Sequence, residues 1–107
     1  MVNYDKLIRD KIPEIIESSG KTCIVDILDD EKYLEYLDKK LSEELLEYQT
    51  DRSIEELADL LEVMYAVVVA RGYSVEELER VRKNKADKRG GFKKKYLLKG
   101  VCEDGNE

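Results

Sequence analysis

Tyr33, Leu34, Leu37, Leu41, Leu45 and Tyr48 recur at spacings of one, three and four, which gathers them on one face of an α-helix. Asp29 or Asp30 supplies the N-cap, and the pattern predicts a helix running to about Gln49. "TDRS" breaks the pattern, and Ser53 opens a second long helix from Ile54 to about Ala70. Leu57, Leu60, Leu61, Met64, Val67 and Val68 form its core face, and Gly72 is its stop. A third long helix opens at Ser74, where Glu77 three residues on completes a capping box. Its apolar positions are Val75, Leu78 and Val81, and "RGG" at 89–91 ends it. Ahead of all three, "IPEIIESS" at 12–19 predicts a short helix with Pro13 in its first turn and Gly20 beyond its end. Segments 21–28 and 92–101 have β-branched or aromatic content without helical punctuation, so each is a strand candidate. Lying at opposite ends of a helical chain, they can pair only with each other. The expected fold is therefore mainly α. It is a helical bundle containing an antiparallel two-helix acidic hairpin, with a small two-stranded β-ribbon from the chain ends.

Length and composition narrow the class. With 107 residues the chain is expected to be one domain, 1–107, with 102–107 a disordered tail. Its 41% charged residues exceed the usual quarter or so, as suits helices with solvated faces. No apolar run approaches the roughly 20 residues of a membrane span. The first residues lack a secretory pattern, so a cytoplasmic protein without a membrane partner is expected. Cys23 and Cys102 are too few and too far apart for a zinc motif, and free thiols are expected. The absence of histidine removes His-based triads and imidazole-ligated zinc. Any chemistry must then use carboxylates, lysines, arginines, tyrosines or a bound ion.

Charge is unevenly spread. Residues 1–79 carry 21 acids and 9 bases, whereas residues 80–99 carry ten bases and one acid. The acids concentrate where the two long helices meet, in "SEELLEYQTDRSIEELAD" (42–59). Glu44 and Glu47 are three apart on one helix, and Glu56 and Asp59 are three apart on the next, so each pair shares a face. A short connection makes the helices antiparallel neighbours. Residues at one level of such a hairpin have a constant index sum, and Glu47 with Glu56 and Glu44 with Asp59 both give 103. Two facing carboxylate pairs one turn apart repel unless protons or a cation neutralise them. Mg²⁺ suits such a site, because it takes a few carboxylate oxygens, keeps waters and binds substrate phosphates. Two plainer readings stand beside this one. Glu56 follows Ser53 by three and can complete a capping box, and a charge-rich hairpin is commonly a solvated face.

On the third long helix, the stripe through Val81 continues at Asn84, Lys85 and Lys88. Amide and ammonium groups on an inward face call for anionic partners, such as phosphate oxygens near the carboxylates. The alternative is that these lysines extend into solvent or pair with the acidic helices.

"EELLE" followed by "ELAD" resembles the paired acidic motif, Glu-x-x-Glu then Glu-x-x-Asp, of the MazG-like all-α NTP pyrophosphohydrolase superfamily. "YDKLIRDKIPEII" and "NKADKRGGF" resemble its phosphoribosyl-ATP-pyrophosphohydrolase-like branch of small house-cleaning enzymes. The resemblance spans roughly residues 4–100. It implies a helical homo-oligomer, a dimer or a dimer of dimers, that hydrolyses nucleoside triphosphates between the α and β phosphates, with Mg²⁺ or Mn²⁺ as cofactor. Carried over by motif, Glu44, Glu47, Glu56 and Asp59 would be metal ligands. One of the glutamates, with Glu43 a further candidate, would polarise the attacking water. Lys85, Lys88 and Arg89 would neutralise phosphates, and Asn84 would donate to a phosphate or the sugar. Arg9 and Lys11 are candidate phosphate contacts. The spacer between the acidic pairs is short for this pattern, though a tight hairpin still aligns them. Two other classes compete: a non-catalytic helical adaptor that oligomerises through its apolar stripe, and a nucleic-acid-binding module using 80–99. The net charge of −6 and the lack of aromatics interleaved with the basic run weigh against nucleic acid.

Overall fold

The computed structural model describes residues 4–103, so the tail expected at 102–107 lies outside the described residues from 104 onward. Four helices make up its regular structure: α1 (Ile12–Ser18), α2 (Asp30–Asp51), α3 (Ile54–Ala70) and α4 (Val75–Arg89). The chain divides into two compact units, Met1–Val75 and Glu76–Glu107.

In the first unit, α1 begins with Pro13 in its first turn, where a missing N–H costs nothing. Gly20 follows it at φ 89°, a left-handed conformation that glycine adopts without penalty. The Asp29 side chain caps α2 by accepting from the Lys32 N–H at 2.8 Å. At the far end of α2 the chain reverses within two residues. Arg52 adopts the left-handed conformation at φ 59° and donates its N–H to the Tyr48 carbonyl at 2.7 Å. Ser53 then caps α3 by accepting from the Glu56 N–H at 3.3 Å. So short a turn leaves α2 and α3 antiparallel and in direct contact. At the open end of the hairpin, Arg71 reaches Asp38 at 3.7 Å.

The fully buried side chain among the described residues is Leu37, 1% exposed, in the middle of α2. Tyr33, Leu34, Leu41, Leu60, Val63, Val67 and Val68 are half-buried. Leu46 and Ile54 are 64% and 72% exposed, and Leu57, Leu61 and Met64, expected on the core face, are exposed as well. The apolar residues of the hairpin thus cover more than one face, and much of that surface is open.

The second unit consists of α4 from Glu76 onward and the segment after it. Leu78 is half-buried, whereas Val81 is exposed.

The expected β-ribbon is absent: no strand forms among the described residues, and the fold is all-helical. Strand propensity stabilises a pleated surface only when one side is covered, and a lone two-stranded ribbon is marginal in water. Neither segment is covered. Ile27 is 99% exposed in 21–28, and Phe92 is 98% exposed in 92–101. The second segment also turns back on itself. Lys95 adopts φ 61° and donates its N–H to the Phe92 carbonyl at 3.2 Å, which interrupts any extended run. Among the described residues, no helix is long and apolar enough to cross a membrane.

Candidate metal centre

The turn at Arg52–Ser53 sets the register of the hairpin, and the register brings carboxylates from both helices together. Oxygens of Glu44, Glu56 and Asp59 lie within 4.8 Å of one another, and all three residues are half-buried. Oxygens of Glu47, Asp51 and Glu56 meet the same criterion, with Glu47 and Asp51 exposed. All four acids expected to face each other therefore do so, with Glu56 common to both groups. The Ser53 hydroxyl caps α3 by accepting from the backbone N–H of Glu56, while the Glu56 carboxylate stands among the acids.

Cations flank this cluster. Arg9 Nη2 donates to Asp59 Oδ1 at 2.8 Å. Lys40 Nζ lies 3.4 Å from Glu44 Oε1 and 3.2 Å from Glu43 Oε1, and Lys6 lies 3.9 Å from Glu43. Glu43 is thereby held between two lysines at the edge of the site. No ion pair reaches Glu56 among the described residues. Its carboxyl is pushed above the ordinary glutamate range, first by partial withdrawal from water and then by Asp59, Glu47, Asp51 and Glu44.

That shift predicts a pH signature. The folded protein binds the Glu56 proton more tightly than the unfolded chain does. The resulting stabilisation is complete below the ordinary glutamate value, about pH 4, and is lost as pH rises through the raised folded-state value. In EDTA, Glu56→Gln is therefore expected to raise the melting temperature at pH 7 and to give no gain below about pH 4. An unchanged or lower melting temperature at pH 7 would contradict the crowding of charge around Glu56.

Beside the carboxylates opens a cleft of about 440 Å³, within the range of small-molecule sites. Arg9, Lys11 and Lys40 line it together with Glu44, Asp59 and Glu62, and Tyr33, Leu37 and Val63 supply its apolar wall.

Asn84, Lys85, Lys88 and Arg89 belong to the second unit, where all four are exposed on α4. The expectation that Asn84, Lys85 and Lys88 line an inward face is not met within that unit. Arg82 is committed to Glu79 by paired hydrogen bonds, which hold the Glu79 carboxyl below its ordinary range. Lys85, Lys88 and Arg89 form no ion pair among the described residues.

Three residues of the site escaped the sequence reading. Asp51 was legible as the residue four after Glu47, but only if α2 is carried two residues beyond Gln49. Glu62 continues the three-residue step from Glu56 and Asp59. Lys40 stands three before Glu43 and four before Glu44, so both of its contacts lie at helical spacing.

No protein-family model matches the chain, and no solved structure matches it. A stretch of 42 residues is 48% identical to a protein of Mycolicibacterium smegmatis (strain ATCC 700084 / mc(2)155) described as uncharacterized. The match covers 39% of this chain and 43% of that protein, so the chain spans less than half of the relative's length.

Proposed function

We propose that the protein is a Mg²⁺-dependent nucleotide pyrophosphohydrolase that cleaves nucleoside triphosphates between the α and β phosphates. The observation that carries this reading is the convergence of Glu44, Glu56 and Asp59 from two helices, within 4.8 Å, with Glu44 and Asp59 lining a cleft that also holds Arg9, Lys11 and Lys40. The donor set fits the ion: all its ligand atoms are carboxylate oxygens, the donors Mg²⁺ and Mn²⁺ take. When bound, the cation supplies charge neutralisation of phosphoryl oxygens and a water of lowered pKa.

Glu44, Glu56 and Asp59 hold the ion in this reading, with Glu47 at the far edge of Glu56 as a further ligand or as the base that orients the water. Glu43 is less suited to that role, because Lys40 and Lys6 already engage its carboxylate. Arg9 and Lys11 bind and orient the triphosphate while Lys40 neutralises Glu43 and Glu44 beside them, so that positioning and electrostatics lower the barrier. Asn84, Lys85, Lys88 and Arg89 have a nucleotide-binding role on the resemblance alone. Nucleotide-pool house-cleaning in the cytoplasm is the corresponding physiological role, without a membrane or nucleic-acid partner.

A panel of ribo- and deoxynucleoside triphosphates, assayed for pyrophosphate with and without Mg²⁺, tests this reading. Release from at least one nucleotide only when Mg²⁺ or Mn²⁺ is present is expected. No release from any nucleotide would favour the non-catalytic adaptor.

The reading includes a homo-oligomer, supported by the exposed apolar residues Leu46, Ile54, Leu57, Leu61 and Met64 of the hairpin. Sedimentation at micromolar concentration is expected to give a dimer or a dimer of dimers, and a monomer would refute this part.

A further inference from the structure

Arg9 reaches Asp59 across fifty residues of sequence. Its backbone is fixed where the chain turns into α1, with the Ile12 N–H bonded to the Arg9 carbonyl at 3.1 Å. Leu7 and Ile8 before it are half-buried and line the cleft. The guanidinium is thus delivered to one ligand carboxylate by an anchored segment, while the pair itself stays open to water: the side chains of Arg9 and Asp59 are 57% and 42% exposed.

Lys40 differs in kind. Its side chain is only 16% exposed, it belongs to the same helix as Glu44, and it is shared with Glu43. Lys40 is a built-in neutraliser, whereas Arg9 holds Asp59 through a half-exposed contact of the weak, breakable class. A guanidinium and a divalent cation at Asp59 are like charges competing for one carboxylate.

We propose that Arg9 is an exchangeable counter-ion. It holds Asp59 when no divalent cation is bound, is displaced when one binds, and then presents its guanidinium to the cleft, where an anionic phosphate is the fitting partner. The inference rests on the reading of Glu44, Glu56 and Asp59 as a divalent-cation site. It makes Arg9 a link between metal and phosphate binding, because the ion that occupies the carboxylates also frees the phosphate ligand.

The test is Mn²⁺ titration of the full chain without nucleotide, followed by the electron paramagnetic resonance of free Mn²⁺. Arg9→Gln is expected to bind Mn²⁺ about fivefold more tightly than wild type, the scale of a half-exposed ion pair. Arg9→Lys should stay near wild type, and Asp59→Asn should bind more weakly. Equal or weaker binding by Arg9→Gln, with wild type binding normally, would make the pair a permanent strut and overturn the exchange alone. If wild type binds no Mn²⁺ and Asp59→Asn is indistinguishable from it, the cation site and the exchange both fall. A second readout avoids reliance on any variant's folding: in the wild-type protein, the Arg9 Nε–Hε resonance should move on Mg²⁺ addition. A resonance that stays in place while Mg²⁺ binds would also overturn the exchange.

Discussion

Asp59→Asn is expected to lower Mg²⁺-dependent pyrophosphate release by about a hundredfold or more while leaving the protein folded. Loss of an outer partner of a metal ligand commonly costs tenfold to a hundredfold, and loss of a ligand should cost no less. The substitution keeps the shape of the side chain but removes the charge that both Arg9 and a divalent cation use. Its effect on stability should be small, because the Arg9–Asp59 pair is half-exposed and such pairs contribute about 1 kcal/mol or less. Circular dichroism and a thermal melt would establish the fold, and pyrophosphate release would report the chemistry. Full activity in Asp59→Asn would remove this residue from the catalytic centre.

The second large effect is on stability. Leu37→Ala is expected to destabilise the first unit by about 2–5 kcal/mol, because its side chain is 1% exposed and the space it leaves cannot be refilled cheaply. At about 4–8 °C per kcal/mol for a domain of this size, the melting temperature should fall by about 10 °C or more. Gln49→Ala is the control. Gln49 is on the same helix but exposed and polar, outside the apolar surface proposed to pack between subunits, so its truncation should leave the melting temperature almost unchanged. Equal effects of the two substitutions, read by chemical denaturation, would mean that Leu37 is not the centre of the packing.

The helices and the acidic hairpin were legible because both depend on local rules. Three- and four-residue spacing gave α2 and α3, the caps at Asp29 and Ser53 marked their starts, and the short turn fixed which carboxylates face each other. What the index sum could not supply was the way long carboxylates reach along the helices, which makes Glu56 the common member of two groups rather than half of one pair. Arg9 was legible only as a basic residue in a resembling block. Its contact with Asp59 arises from an irregular segment with no periodicity to read, and from tertiary packing over fifty residues. The β-ribbon fails for the opposite reason. Local β-branched or aromatic content in 21–28 and 92–101 is not sufficient, because strands need a partner and a covered face. On α4, extending the apolar stripe through Val81 to Lys85 and Lys88 gave an inward face to residues that are exposed.

The most direct test of the central claim is ³¹P NMR of a nucleoside triphosphate incubated with the protein and Mg²⁺ in ¹⁸O-enriched water. The account predicts nucleoside monophosphate and pyrophosphate as the products, formed only with the divalent cation and with one ¹⁸O incorporated between them. Release of inorganic phosphate with nucleoside diphosphate, or no turnover of any nucleotide, would contradict it.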